Sequence, residues 1–172
     1  MSYLLNNPDK VFTLTQEHLL ITLVALSIAV VIAVPLGVLL VRRPKLYGPV
    51  MSVLSVLYTI PSISLLVLLI PIMGLGFWPT IAALVIYCQA ILVRNVVVGI
   101  NSVDAAVLEA ARGMGLSTWQ VLLRVELPLA LPVILAGVRI AAISTIAIAT
   151  VAAFFDAGGL GALIREGISQ DY

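Results

Sequence analysis

The sequence predicts an all-α integral membrane protein, a polytopic bundle of apolar helices, and three observations carry that reading. Hydrophobic residues make up 62% of the 172 positions and charged residues 10%. With a mean hydropathy of +1.22, these values lie far outside the soluble range. The chain holds four long apolar runs separated by polar or Gly-rich breaks, each near the ~20 residues a helix needs to cross a hydrocarbon core of roughly 30 Å. Small residues recur at every fourth position in two of those runs, the spacing that lets helix backbones approach closely in lipid. A net charge of +1 gives no electrostatic reason to expect a nucleic-acid partner, so the basic residues matter by position. The single cysteine, Cys88, can form neither an internal disulfide nor a multi-cysteine metal site, and it reads as a small buried hydrophobe.

A polar N-terminus carrying Asn6, Asn7, Asp9, Glu17 and His18 precedes the first run. It lacks a basic leader and a small-residue cleavage site, so the run reads as a retained helix and not as a signal peptide. Thr13 and Gln16 fit a capping box. The first span covers about 19–41 and stops at Arg42, Arg43 and Lys45, with Ala25, Ala29, Ala33 and Gly37 on one close-packing face. Pro35 should kink it by leaving the Val31 carbonyl without a helical partner. The second run, about 47–73, holds Pro61 and Pro71 and reads as one tilted span broken near Pro61. An uncharged turn, Gly74 to Phe77, leads to Trp78 at an interface and Pro79 at a first helical position, opening a third span over about 79–99. Pro128 and Pro132 open the fourth span, about 130–155, where Gly137, Ala141, Thr145, Ala149 and Ala153 repeat the small-residue stripe. The tail, 156–172, is Gly-rich, polar and too short to span. The whole of 1–172 reads as one transmembrane domain.

Orientation follows from the positive-inside rule. Arg42, Arg43 and Lys45 flank one loop and Arg112 and Arg124 lie in another, whereas Lys10 and Arg165 are the basic residues of the alternate side. Both basic loops are therefore expected in the cytoplasm and the N-terminus outside. The second loop, 101–126, carries short helical patterns. Val103, Val107, Ala110 and Met114 share one face, with Glu109 and Arg112 together at i, i+3 on another. Gly113 and Gly115 can end this helix, and Ser117 with Gln120 makes a capping box for the next. Helix, Gly turn and helix form a rigid exposed element suited to a partner's groove.

The run Glu109-Ala110-Ala111, then Gly115, Val125 and Leu127-Pro128 is similar to the EAA signature of ABC importer permeases, with Val125 where that family usually has Ile. The resemblance covers about 19–161 and implies the methionine-importer type of helical bundle. It also implies a loop in which Val103, Val107, Glu109, Ala110, Ala111, Met114, Gly115, Leu127 and Pro128 couple to a cytoplasmic ATPase. Tyr58-Thr59-Ile60-Pro61-Ser62 and Ala157-Gly158-Gly159-Leu160-Gly161 look closest to permeases for the quaternary-amine osmoprotectants glycine betaine, carnitine and choline; methionine permeases share similar segments. Members of this size usually have a further span after the Gly-rich segment, so the resemblance implies a missing or divergent last span. It implies as partners the ATPase subunits, a second identical or related permease, an extracytoplasmic substrate-binding protein and the lipid of a bacterial cytoplasmic (inner) membrane.

No Walker A pattern occurs, since neither Lys10 nor Lys45 follows a glycine. No cofactor is therefore expected on this chain, and ATP with Mg belongs to the partner ATPase. No metal-ligand cluster and no nucleophile with its base is visible, so no catalysis is expected; His18 reads as a solvated neighbour of a helix start. Arg139 is a charge deep in the fourth span, roughly 16 Å past Pro128. It either lines the pathway or pairs within the protein, the latter being favoured, while Arg94 can snorkel to headgroups. Tyr58, Pro61, Ser62, Ser64, Tyr87, Gln89, Ser144 and Thr145 join Arg139 as pathway candidates, because polar groups within lipid need a partner or water; helix-to-helix hydrogen bonds would satisfy them equally well. Asp156, Gly158, Gly159 and Gly161 form a candidate outer gate or a plain loop. The expected function is translocation of a small osmoprotectant by alternating access. A methionine or other amino-acid permease is the alternative, and a self-contained channel or ion-coupled carrier is the competing class. That class needs intramembrane acidic residues or an internal repeat, and the four spans contain no Asp or Glu.

Overall fold

The computed structural model describes residues 7–169, and among them every regular element is a helix. In order these are α1 (Pro8–Arg42), α2 (Pro44–Thr59), α3 (Ser62–Met73), α4 (Phe77–Asn101), α5 (Ala105–Gly113), α6 (Thr118–Val121), a π-helical turn (Leu122–Glu126), α7 (Leu127–Ala152), a 3-10 turn (Ala153–Phe155) and α8 (Gly161–Ser169). By length and apolarity, α1, α4 and the continuous helical stretch Thr118–Phe155 can each cross a membrane, and α2 with α3 makes a fourth, bent span.

The first helix starts earlier than its hydropathy indicates. Pro8 takes the first-turn position its missing N–H favours, and the helix then runs 35 residues, about 52 Å at 1.5 Å per residue. The expected capping box at Thr13 is absent, because Thr13 lies inside the helix with its Oγ1 donating to the Asp9 carbonyl at 2.9 Å. The helix also continues through Pro35. The break at Pro61 is sharper than a tilt: α2 and α3 meet at 97°. Ile60 and Pro61 are both extended there, as expected of a proline and the residue before it. The Tyr87 hydroxyl donates to the Ile60 carbonyl freed at the break, and the Tyr58 and Tyr87 rings pack edge to face at 6.0 Å.

Helix α4 is the centre of the bundle, packed by α1 and α7 along most of its length and by α2 and α3. Both small-residue stripes do what their spacing predicts. Ala25, Ala29, Ala33 and Gly37 of α1 are buried, as are Gly137, Ala141, Thr145 and Ala149 of α7 with Ala153 just beyond it. A Cβ at Gly37 would overlap Val96, and one at Gly137 would sit 2.5 Å from the Asn95 Cβ. Contact between α4 and its neighbours therefore depends on missing side chains, as expected where lipid supplies no hydrophobic drive between helices. Cys88 is buried in this seam, its Sγ 3.1 Å from the Thr145 Oγ1.

The two ends of the bundle differ. At one end, Gly76 N–H donates to the Phe155 carbonyl at 2.9 Å and closes the α3–α4 turn onto the end of α7. Lys10 pairs with Glu166 at 2.6 Å and Asp156 with Arg165 at 2.7 Å, so α8 folds back beside the start of α1. Arg42 pairs with Glu126 at the other end.

Candidate functional site

The loop between α4 and α7 is built by local chemistry. Asp104 caps α5, its Oδ1 accepting from Ala106 N–H at 2.8 Å. Gly115, at φ +84°, takes the left-handed conformation that ends the helix. Ser117 and Gln120 exchange both bonds of the expected capping box, Ser117 N–H donating to Gln120 Oε1 at 2.8 Å. The π-helical turn has its cause in Pro128. That residue has no N–H for the Arg124 carbonyl and its ring crowds that carbonyl, while Leu127 N–H reaches back five residues to Leu122.

The loop divides the EAA-segment residues in two. Val107, Glu109, Ala110, Met114 and Gly115 are exposed, as is Pro128, and Val103 is half-buried. Ala111 instead turns inward and is buried, and Leu127 packs against the core formed by Val96, Ile100, Ala130 and Ile134. Glu109 and Arg112 share a helix but form no ion pair among the described residues. With Met114 at 73% and Trp119 at 71% exposure, the loop that carries Glu109 also presents two large apolar side chains to its surroundings. Trp119 escaped the sequence reading, although an aromatic in a polar loop was the available signal.

The candidate pathway residues also separate. Tyr87, Gln89 and Thr145 are buried and bonded inside the chain: Gln89 Nε2 donates to the Ala29 carbonyl at 3.2 Å and Thr145 Oγ1 to the Ala141 carbonyl at 2.7 Å. Gln89 Oε1 has no hydrogen-bond partner among the described residues. Tyr58, Pro61, Ser64 and Arg139 face outward from this chain, with Ser62 and Ser144 half-buried. Arg139 lacks the intrachain pairing expected of it, since no carboxylate or carbonyl among the described residues partners it. Tyr58 lines a cavity of about 400 Å³ between α2, α4 and α7 with Ser55, Thr59, Arg94, Asn95 and Ile140. The sequence reading did not place Ser55, Thr59 or Asn95 there, and it sent Arg94 to the headgroups.

His18 is buried and not the solvated neighbour of a helix start. It is 3% exposed, because the long first helix carries it past the clasp made by the Gly-rich segment. Its Nε2 donates to the Ile146 carbonyl at 3.2 Å, while Nδ1, facing Gly159, has no hydrogen-bond partner among the described residues. Glu17 beside it accepts from Gly159 N–H at 3.0 Å. Asp156 is the one positive-φ residue other than glycine among those described. Gly158 and Gly159 are left-handed too, and Gly161 lies directly on the Thr150 carbonyl. The candidate outer gate is thus an ordered turn packed on α1 and α7.

Residues 19–171 match the family described as binding-protein-dependent transport system inner membrane component. The chain belongs to that family. Within it, this permease is 40% identical over 169 residues to the carnitine transport permease protein OpuCB of Listeria monocytogenes, covering 98% of this chain and 78% of the relative. It is 41% identical to the osmoprotectant import permease protein OsmW of Salmonella typhimurium, covering 97% and 80%. It is also 39% identical to the glycine betaine/carnitine/choline permease protein OpuCB of Bacillus subtilis, covering 98% and 78%. Its fold matches a chain from an inward-facing structure of the MetNI methionine ABC transporter with a TM-score of 0.82, at 28% identity over 92% of this chain and 80% of that one. The all-α, methionine-importer type of bundle read from the sequence is therefore the fold of this inner-membrane permease, and its family places it beside a binding protein and an ATPase.

Proposed function

We propose that this permease carries a small quaternary-amine osmoprotectant such as glycine betaine, carnitine or choline into the cell, and that residues 1–172 act as one translocating domain. The observation that carries the substrate class is the 39–41% identity, over 97–98% of the chain, to relatives named for those solutes; the methionine transporter matches at 28–31%. Two copies, identical or related, would enclose the pathway, since four spans are too few to do so alone. The exposed faces at Tyr58 and Arg139 are available to line it.

In this reading the chain performs no catalysis. ATP and Mg are handled by separate cytoplasmic ATPases that dock on the exposed loop bearing Val107, Glu109 and Met114. Closure of the ATPases displaces the loop, and the attached spans switch the pathway from inward to outward access. The Gly-rich clasp then meets the extracytoplasmic binding protein. The N-terminus lies outside, supported by the clustering of Arg42, Arg43, Lys45, Arg112 and Arg124 in the loops of one side. In whole cells, an impermeant thiol reagent is expected to label Asp9→Cys and not Arg112→Cys; the reverse pattern would invert the topology.

The test of cargo is competition for uptake by the reconstituted importer with its binding protein. Glycine betaine, carnitine or choline should displace the labelled solute at low excess and methionine should not. Uptake of methionine alone would overturn the substrate class while leaving the transport reading intact.

A further inference from the structure

Glu126 is only 2% exposed, yet its Oε2 lies 2.6 Å from Nη2 of Arg42. A carboxylate so withdrawn from water is retained only with a close partner, and removing either member leaves a buried charge uncompensated. The pair sits at two junctions. Arg42 is the last residue of α1, next to the break at Arg43 where the chain turns into α2. Glu126 is the last residue of the π-helical turn, immediately before α7. Helix α5 packs on α6 and on this turn, whereas α1 packs on α4, α7 and α2. Arg42–Glu126 is the ion pair, among the described residues, that joins the loop to the first span. The pair thus closes on a π-helical turn inside a continuous helical stretch, an irregularity frequent at functional sites.

We propose that Arg42 and Glu126 are a positioning pair that carries displacement of the cytoplasmic loop into α1 and the α1–α2 junction as well as into α7. The proposal rests on the reading that a partner ATPase drives the loop. Without the pair, force on α5 reaches α7 through the backbone while α1 lags, and ATP is hydrolysed with less transport.

The experiment uses the complete importer in proteoliposomes with its binding protein, and reads solute transported per ATP hydrolysed. The variants are Glu126→Gln, Arg42→Gln and the exchange Arg42→Glu with Glu126→Arg. The two single variants should lower that ratio roughly tenfold, within the range of couplings carried by one contact network, while co-purifying with the ATPase. The exchange should restore it to within about threefold. An unchanged ratio in the single variants overturns the proposal, as does an assembled exchange variant that restores nothing. Failure of all three to assemble also overturns it, because the pair would then serve folding alone. Wild-type uptake that needs no ATP would instead remove the reading beneath it, an outcome visible before any variant is made.

Discussion

A valine at position 137 is expected to disrupt the bundle although it is more apolar than the glycine it replaces. Its Cβ would fall 2.5 Å from that of Asn95, whose side chain is tied back to the Ile91 carbonyl at 2.8 Å. The helices must separate, at a cost of roughly 1–3 kcal/mol for overpacking. Gly137→Val should lower the thermal midpoint of the purified permease; an unchanged midpoint would show that α7 does not approach α4 this closely. Such positions were legible in the sequence because the four-residue spacing of small side chains states the contact face directly. Glu126 was not legible. A glutamate among the charges of a loop has the composition of a solvated residue, and nothing local reveals that Arg42, 84 positions away, meets it. His18 was misread for the same reason, since its burial depends on Gly159 folding back from the far end of the chain.

The bent span shows how an element-level break is held. Pro61 and the extended Ile60 interrupt the ladder between α2 and α3, and the freed Ile60 carbonyl accepts from the Tyr87 hydroxyl of α4. Without that donor the carbonyl would need another partner within the span. Tyr87→Phe should therefore destabilise the permease by about 1 kcal/mol or somewhat more, the usual loss when a buried acceptor is left unmade. Thermal melts in lipid nanodiscs measure it, and a neutral result would place the bend's support elsewhere. Proline marked this break in the sequence, but the 97° angle depends on how α2 and α3 each pack against α4. The start of α1 was missed because hydropathy reports only lipid contact. The first turns are polar and are held by Lys10–Glu166 and Glu17–Gly159, contacts that no helical period encodes.

At the scale of the whole molecule, one chain supplies a central helix gripped by two small-residue faces, a bent span beside a cavity with both polar and apolar walls, and a capped loop at the basic end. The outward faces of α1 and α7 carry bulky apolar residues such as Val31, Ile32, Leu135 and Ile143, as lipid or a second permease copy requires. The central claim is that this bundle moves solute only when ATP is spent on the loop side. The most direct test is uptake of labelled glycine betaine into proteoliposomes holding the permease, its ATPase and an external binding protein, with ATP and Mg enclosed. Accumulation against a gradient, lost when ATP is replaced by a non-hydrolysable analogue, is the predicted result. Equal uptake with the analogue, or by the permease alone, would contradict the account.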